Sequence, residues 1–494
     1  MASEEQVQTK DTLDGKSDIQ GFSHHAEDIL NDREPYGPPG LAGLVANPFV
    51  LMCAACSTLG GLLFGYDQGV VSVILVMDQF LERFPEVSPD SSGSGFWKGL
   101  MTAMIELGAL LGALNQGWIA DKISRRYSII VAVIIFTIGS ALQTGAVDYA
   151  MLTVARLIGG VGIGMLSMVA PLYISEISTL LVLEEFCIVL GIVIAYWITY
   201  GTRFMAGEWS WRLPFLLQMV PGFVLIGGVA ILPFSPRWLA SKDRYEEALQ
   251  SLSKLRRLPT TDKRVRQEFL DIQAEVRFHQ EMNAEKHPNL QGGGLKDAFL
   301  LEMASWADCF KPGCWKRTHI GVGLMFFQQV ILVGLYSDNW PAHRPQGWAS
   351  VALLLVYMIA FGASWGPVGW AMPSGKSTSF SFPGLKKPSS NRFTEVFPSS
   401  LRAKGVALST CSNWLNNFII VIQNTGFGAY TFFAVFCLLA FVWTFFFVPE
   451  TKGRTLEQMD HVFKDNSSEA EEARRHAIEV ELLRAEAERY AMEA

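Results

Sequence analysis

Two charged side chains stand alone in apolar surroundings, the acid Asp67 and the base Arg156. Asp67 is the one charged residue between Phe49 and Met77, within Gly60-Gly61-Leu62-Leu63-Phe64-Gly65-Tyr66-Asp67-Gln68-Gly69. Arg156 interrupts a second apolar run that ends near Ser175. Both runs reach the roughly 20 apolar residues that a helix needs to cross a bilayer. A charge at that depth costs about 3 kcal/mol or more, so it needs a partner, a proton or a water-filled cavity. One acid and one base placed this way point to a path for protons or solute. The competing role is a static buried ion pair that fixes helix packing.

The surroundings fit that depth. Half of the residues are hydrophobic and 18% are charged, against about 25% charged in ordinary soluble domains. The apolar residues come in blocks, which reads as an all-α membrane protein. The net charge of −7 comes from acids in the two tails, so no nucleic-acid partner is implied. No secretory signal is expected, and the first membrane helix is expected to direct insertion. Cys53 and Cys56 form a CxxC inside that helix and read as packing residues. Neither a metal site nor a disulfide is expected.

About ten apolar segments read as spans, roughly 49–73, 97–119, 127–147, 150–175, 180–202, 213–234, 319–337, 350–373, 405–422 and 428–448. Six precede a long polar stretch and four follow it. The expected domains are a cytoplasmic tail over 1–48, a six-helix bundle over 49–234 and a cytoplasmic loop with short helices over 235–318. An incomplete second bundle over 319–448 and a cytoplasmic tail over 449–494 complete the chain. Lys and Arg gather in cytoplasmic loops. Lys122, Arg125, Arg126, Arg237, Lys254, Arg402, Lys404, Lys452 and Arg454 share one side if both termini are cytoplasmic. Arg203 and Arg212 run against that pattern.

Several short strings fall in order at helix boundaries. They are Gly117-Trp118-Ile119-Ala120-Asp121-Lys122-Ile123-Ser124-Arg125-Arg126, Pro171-Leu172-Tyr173-Ile174-Ser175-Glu176 and Ser235-Pro236-Arg237-Trp238. Then come Phe327-Gln328-Gln329, Gly366-Pro367-Val368-Gly369-Trp370, Glu395-Val396-Phe397-Pro398 with Arg402, Asn413-Trp414, and Pro449-Glu450-Thr451-Lys452-Gly453-Arg454. The ordered set resembles the sugar porter family of the major facilitator superfamily, especially its fungal members, over about residues 49–463.

The resemblance implies two bundles, a central sugar site near the midplane, and alternating access. It implies that Asp67 carries the proton and that Arg156 is its basic partner. Gln328 and Gln329 match paired glutamines that bond sugar hydroxyls, a task that suits amides because they both donate and accept. Trp370 and Trp414 match tryptophans near the sugar, and Asn413 and Asn417 are further polar contacts. Glu185 stands where many relatives carry a sugar-binding glutamine; a carboxylate only accepts, so selectivity can change there. Glu106, inside the second span, has no role that the sequence can choose. Asp121, Arg125, Arg126, Glu176, Glu395, Arg402 and Glu450 resemble a cytoplasmic charge network that gates the bundles.

The chain also departs from the family. Glu176-Ile177-Ser178 runs almost directly into the fifth span, without the usual proline-rich, arginine-bearing link. Phe327-Gln328-Gln329-Val330 runs into Ile331-Leu332-Val333-Gly334-Leu335, as if helices seven to nine were fused, which leaves six spans plus four instead of twelve. Residues 375–394 read as an insertion with the character of translated intron. Ser124 replaces a usual glycine, Lys122 a usual arginine, Phe234 a usual glutamate and Gly369 a usual proline. The resulting expectation is a carbohydrate:proton symporter, not an enzyme, in the plasma membrane, with the proton as coupling ion and no other cofactor. The partners are a sugar and the lipid bilayer, and oligomeric state is not legible. The rival is a non-transporting sugar sensor or an inactive truncated paralogue.

Overall fold

The block around Asp67 folds as one helix, α1 (Pro48–Ile74). At about 1.5 Å per residue its 27 residues exceed the hydrocarbon core of about 30 Å. In this computed structural model the described residues are 48–177, 181–290, 295–311, 402–422 and 473–485, with positions 315, 318–320, 322, 323, 439, 442, 443 and 446. Among them no strand occurs.

After α1 come a short α2 (Asp78–Arg83), then α3 (Ser94–Ile123), α4 (Arg125–Thr144), α5 (Tyr149–Ile177) and α6 (Leu181–Thr202). Next are α7 (Trp209–Leu217) and α8 (Met219–Ile231). Six segments among the described residues are long and apolar enough to cross a membrane, with α7 and α8 forming one of them. These are the first six expected spans, shifted by a few residues at their ends. The sixth is split because Pro221 has no N–H for the Leu217 carbonyl, and the ladder restarts at Gln218. The ninth expected span lies within α13 (Arg402–Ile422). The seventh, eighth and tenth lie outside the described residues, apart from scattered positions.

Glycine sets the packing. The α1 residues Gly61, Gly65 and Gly69 face Glu184, Ile188 and Ile192 of α6, and a Cβ on Gly65 would stand 1.9 Å from the Ile188 carbonyl oxygen. A Cβ on Gly164 of α5 would stand 1.9 Å from the Ala109 carbonyl oxygen of α3. Small residues one turn apart thus let the backbones touch, the usual way for helices to associate where no water drives them together. Cys56 packs beside Gly228 of α8. α5 lies along both α3 and α4, and α13 lies along α3.

At the far end of α4, Arg212 donates to the carbonyls of Thr144 and Ala146 and pairs with Glu208. This helix-end role accounts for a basic residue on the side where the charge pattern did not call for one.

The chain divides into two compact units. One takes in Val50–Ser235 and Asn289–Asn466, and so includes α12 (Leu295–Asp308). The other holds Pro236–Pro288 and the chain's end. Its helices are α9 (Pro236–Ser241), α10 (Tyr245–Arg256) and α11 (Lys263–Lys286), with helical residues 473–485. Asp262 caps α11 by accepting from the Arg264 backbone N–H at 3.0 Å. The Arg264 side chain bonded to Asp262 holds that carboxyl below its ordinary value. Arg256 and Glu268 join α10 to α11 through two hydrogen bonds.

Candidate functional site

Three helices bring the buried charges together. Asp67 comes from α1 and Arg156 from α5, each 1% exposed, with Arg156 Nη2 3.9 Å from Asp67 Oδ2. That separation is an ion pair but not a hydrogen bond. Neither Asp67 oxygen accepts a hydrogen bond among the described residues. The guanidinium is held from its other side, where Nε donates to the Met101 carbonyl of α3 at 2.9 Å. Glu106 of α3 is 5% exposed and lies within electrostatic reach of Arg156. The arginine therefore has two acids around it, and the role left open for Glu106 becomes that of a second negative neighbour.

One turn away from Asp67 on α1, Phe64 lines a cleft of about 370 Å³, open in part to solvent. Gly60 and Gly61 of α1, Ser167 and Pro171 of α5, and Glu184, Glu185 and Ile188 of α6 complete the described lining. Pro171 continues α5 without an N–H, so the Ser167 carbonyl loses its intrahelical donor. Trp414 of α13 is buried, donates from Nε1 to Ser167 Oγ at 3.2 Å, and meets the Phe64 ring edge-on with centroids 5.0 Å apart. Of the expected solute contacts, Glu185 therefore lines the cleft and Trp414 backs it. Asn413 is buried in α13. Asn417 is placed only as a backbone position in α13, and Gln328, Gln329 and Trp370 lie outside the described residues.

A second charge group gathers at the turn between α3 and α4. Arg125 donates to Asp121 at 2.9 Å and to Glu176 at 3.1 Å. Arg126 turns elsewhere: it bonds the Ala230 carbonyl of α8 and stands 5.1 Å from the centre of the Phe234 ring. Phe234 replaces the acid expected at that place, so the guanidinium meets a ring face instead. Arg402 is placed only as the start of α13, and Glu395 and Glu450 lie outside the described residues.

Sequence reasoning passed over Glu184, Ser167 and Phe64. Glu184 and Glu185 look alike in the sequence, and only helix phase distinguishes the one turned against Gly61. Ser167 and Phe64 carry no signal in the sequence beyond their place in spans.

Long apolar helices that touch through glycine and enclose an acid–base pair beside a cleft define a multi-pass membrane protein with a polar interior. The profile of the family described as "Sugar (and other) transporter" matches residues 53–337 and 392–463, well over half of the chain, which therefore belongs to that family. It is 29% identical to the MFS glucose transporter mfs1 of Aspergillus flavus, over 82% of this chain and 88% of that protein. It is also 29% identical to the high-affinity glucose transporter of Kluyveromyces lactis, over 85% and 86% of the two chains. The fold matches the proton:xylose symporter XylE bound to 6-bromo-6-deoxy-D-glucose, with TM-score 0.58, 22% identity, and 84% of this chain and 99% of that one covered. This is the two-bundle fold of the major facilitator superfamily, and the chain is a transporter rather than an enzyme.

Proposed function

We propose that the chain carries a sugar-class solute across the plasma membrane together with a proton, by alternating access, with both termini cytoplasmic. The observation that carries this reading is the Asp67–Arg156 pair, which is wholly buried yet not hydrogen-bonded, 3.9 Å apart, one helical turn from a cleft. Arg156 balances the ionised carboxylate while the pair is together, and a proton balances it once helix movement parts them. Glu185 and Trp414 contact the solute, with Asn413, Asn417, Gln328, Gln329 and Trp370 as further contacts. Asp121, Arg125 and Glu176 form part of the gate, completed by Arg126, Glu395, Arg402 and Glu450. The named activities of the Aspergillus and Kluyveromyces relatives and of XylE support the solute class.

The test is sugar-driven proton movement in vesicles holding the full chain. Sugar should alkalinise the outside medium, and Asp67→Asn should abolish both that signal and accumulation against a gradient. A variant that still moves protons with sugar would remove Asp67 from the coupling role.

One observation favours a second reading, in which this chain does not transport. The family match is interrupted over 338–391, which holds most of the expected insertion at 375–394. Uptake by this chain, measured beside a version with the family's helices restored, separates the two.

A further inference from the structure

The cleft between α1, α5 and α6 has an unusual balance of hydrogen-bonding groups. Its described polar side chains are Ser167, Glu184 and Glu185. The Ser167 hydroxyl is already used, since it donates to the Gly164 carbonyl at 2.9 Å and accepts from Trp414. Glu184 and Glu185 carry carboxylates, which in the ionised form only accept. No basic side chain is among the described lining.

Glu184 is the sharper case. It is 6% exposed and faces the cleft, and among the described residues no hydrogen bond or ion pair reaches it. Its room comes from Gly61, where a Cβ would stand 3.0 Å from both the Glu184 Cγ and its carbonyl oxygen. A buried carboxylate without a partner is costly, and a cation supplied from outside removes that cost. An ammonium brings both the charge and three donors.

We propose that Glu184 makes this cleft selective for a hydroxyl-rich solute that bears a protonated amine, an amino sugar. The inference rests on the transport reading above and narrows its substrate class. Uptake of radiolabelled glucosamine and glucose is compared in vesicles holding the full chain, at about pH 6, where an amine of ordinary basicity is protonated. Glucosamine is expected to be favoured about tenfold or more, the scale of a hydrogen bond to a charged group. Glu184→Gln keeps the shape but not the charge and should bring the glucosamine-to-glucose ratio close to one. If that variant does not fold, competition in the wild type decides: glucosamine should inhibit, and N-acetylglucosamine, which has the same ring without the charge, should not. Equal uptake of glucose and glucosamine, the result expected if Glu184 holds a proton instead, overturns this inference alone. Failure to take up either sugar overturns it together with the transport reading.

Discussion

Ser124 shows what one residue type costs where the backbone needs another. It joins α3 to α4 with φ 86° and ψ 147°, a region open almost only to glycine and costing about 1–3 kcal/mol for other residues. The sequence flags the position because a glycine is usual there, and the dihedrals give the reason. Ser124 is fully buried, and its hydroxyl makes no hydrogen bond among the described residues, so glycine loses nothing in exchange. Ser124→Gly is therefore expected to stabilise the protein by about 1 kcal/mol or more, offset in part by the greater freedom of glycine in the unfolded chain. A rise in melting temperature of the detergent-solubilised protein checks this, and a fall would show that the strain is not real. Asp67 and Arg156 are legible for the opposite reason: a lone charge in an apolar run needs no structure to stand out. Glu184 is not legible, because its burial depends on the phase of α6 and on the absent side chain of Gly61.

Among the elements, the six spans of the first bundle could be placed from hydropathy alone, since length and polarity decide what crosses a bilayer. Their pairing could not, because lipid-facing and helix-facing apolar residues look alike in sequence. Exposed Phe186, Trp197 and Phe223 are as apolar as buried Phe136 and Phe215. The glycines carry the pairing information, though not all equally. Gly65 meets the Ile188 backbone, whereas Gly227 has nothing within 4 Å. Gly65→Ala should therefore force α1 from α6 and cost about 1–3 kcal/mol or more, as overpacking does, while Gly227→Ala should be nearly neutral. Thermal melts of the two variants compare them directly; similar losses would mean that the α1–α6 contact is not a backbone contact. Because Phe64 of α1 and Glu184, Glu185 and Ile188 of α6 line one cleft, the same Gly65 change should also weaken solute uptake.

For the whole molecule, the unit that contains α11 raises a question of which force holds the chain's end. Arg474 pairs with Glu281 and Glu285, and Arg277 with Glu281 and Glu481. Both segments are rich in Glu and Arg, so charge pairing is one candidate for the fastening. Yet these pairs are partly exposed, with Arg474 at 41% and Glu481 at 61%, and such pairs contribute about 0–1 kcal/mol each. Beneath them Ile478 packs with Ala274 and Phe278 in a buried cluster, flanked by Met282 and Leu482. Truncating a buried isoleucine costs about 2–5 kcal/mol, so the apolar seam outweighs any single pair. Ile478→Ala is expected to free the tail, exposing α11 to protease, while Arg474→Ala should leave the digestion pattern nearly unchanged. Raising the salt should likewise release little, because screening weakens the pairs and leaves the seam intact. Release of the tail by salt alone would reverse this ranking and make the charges the fastening.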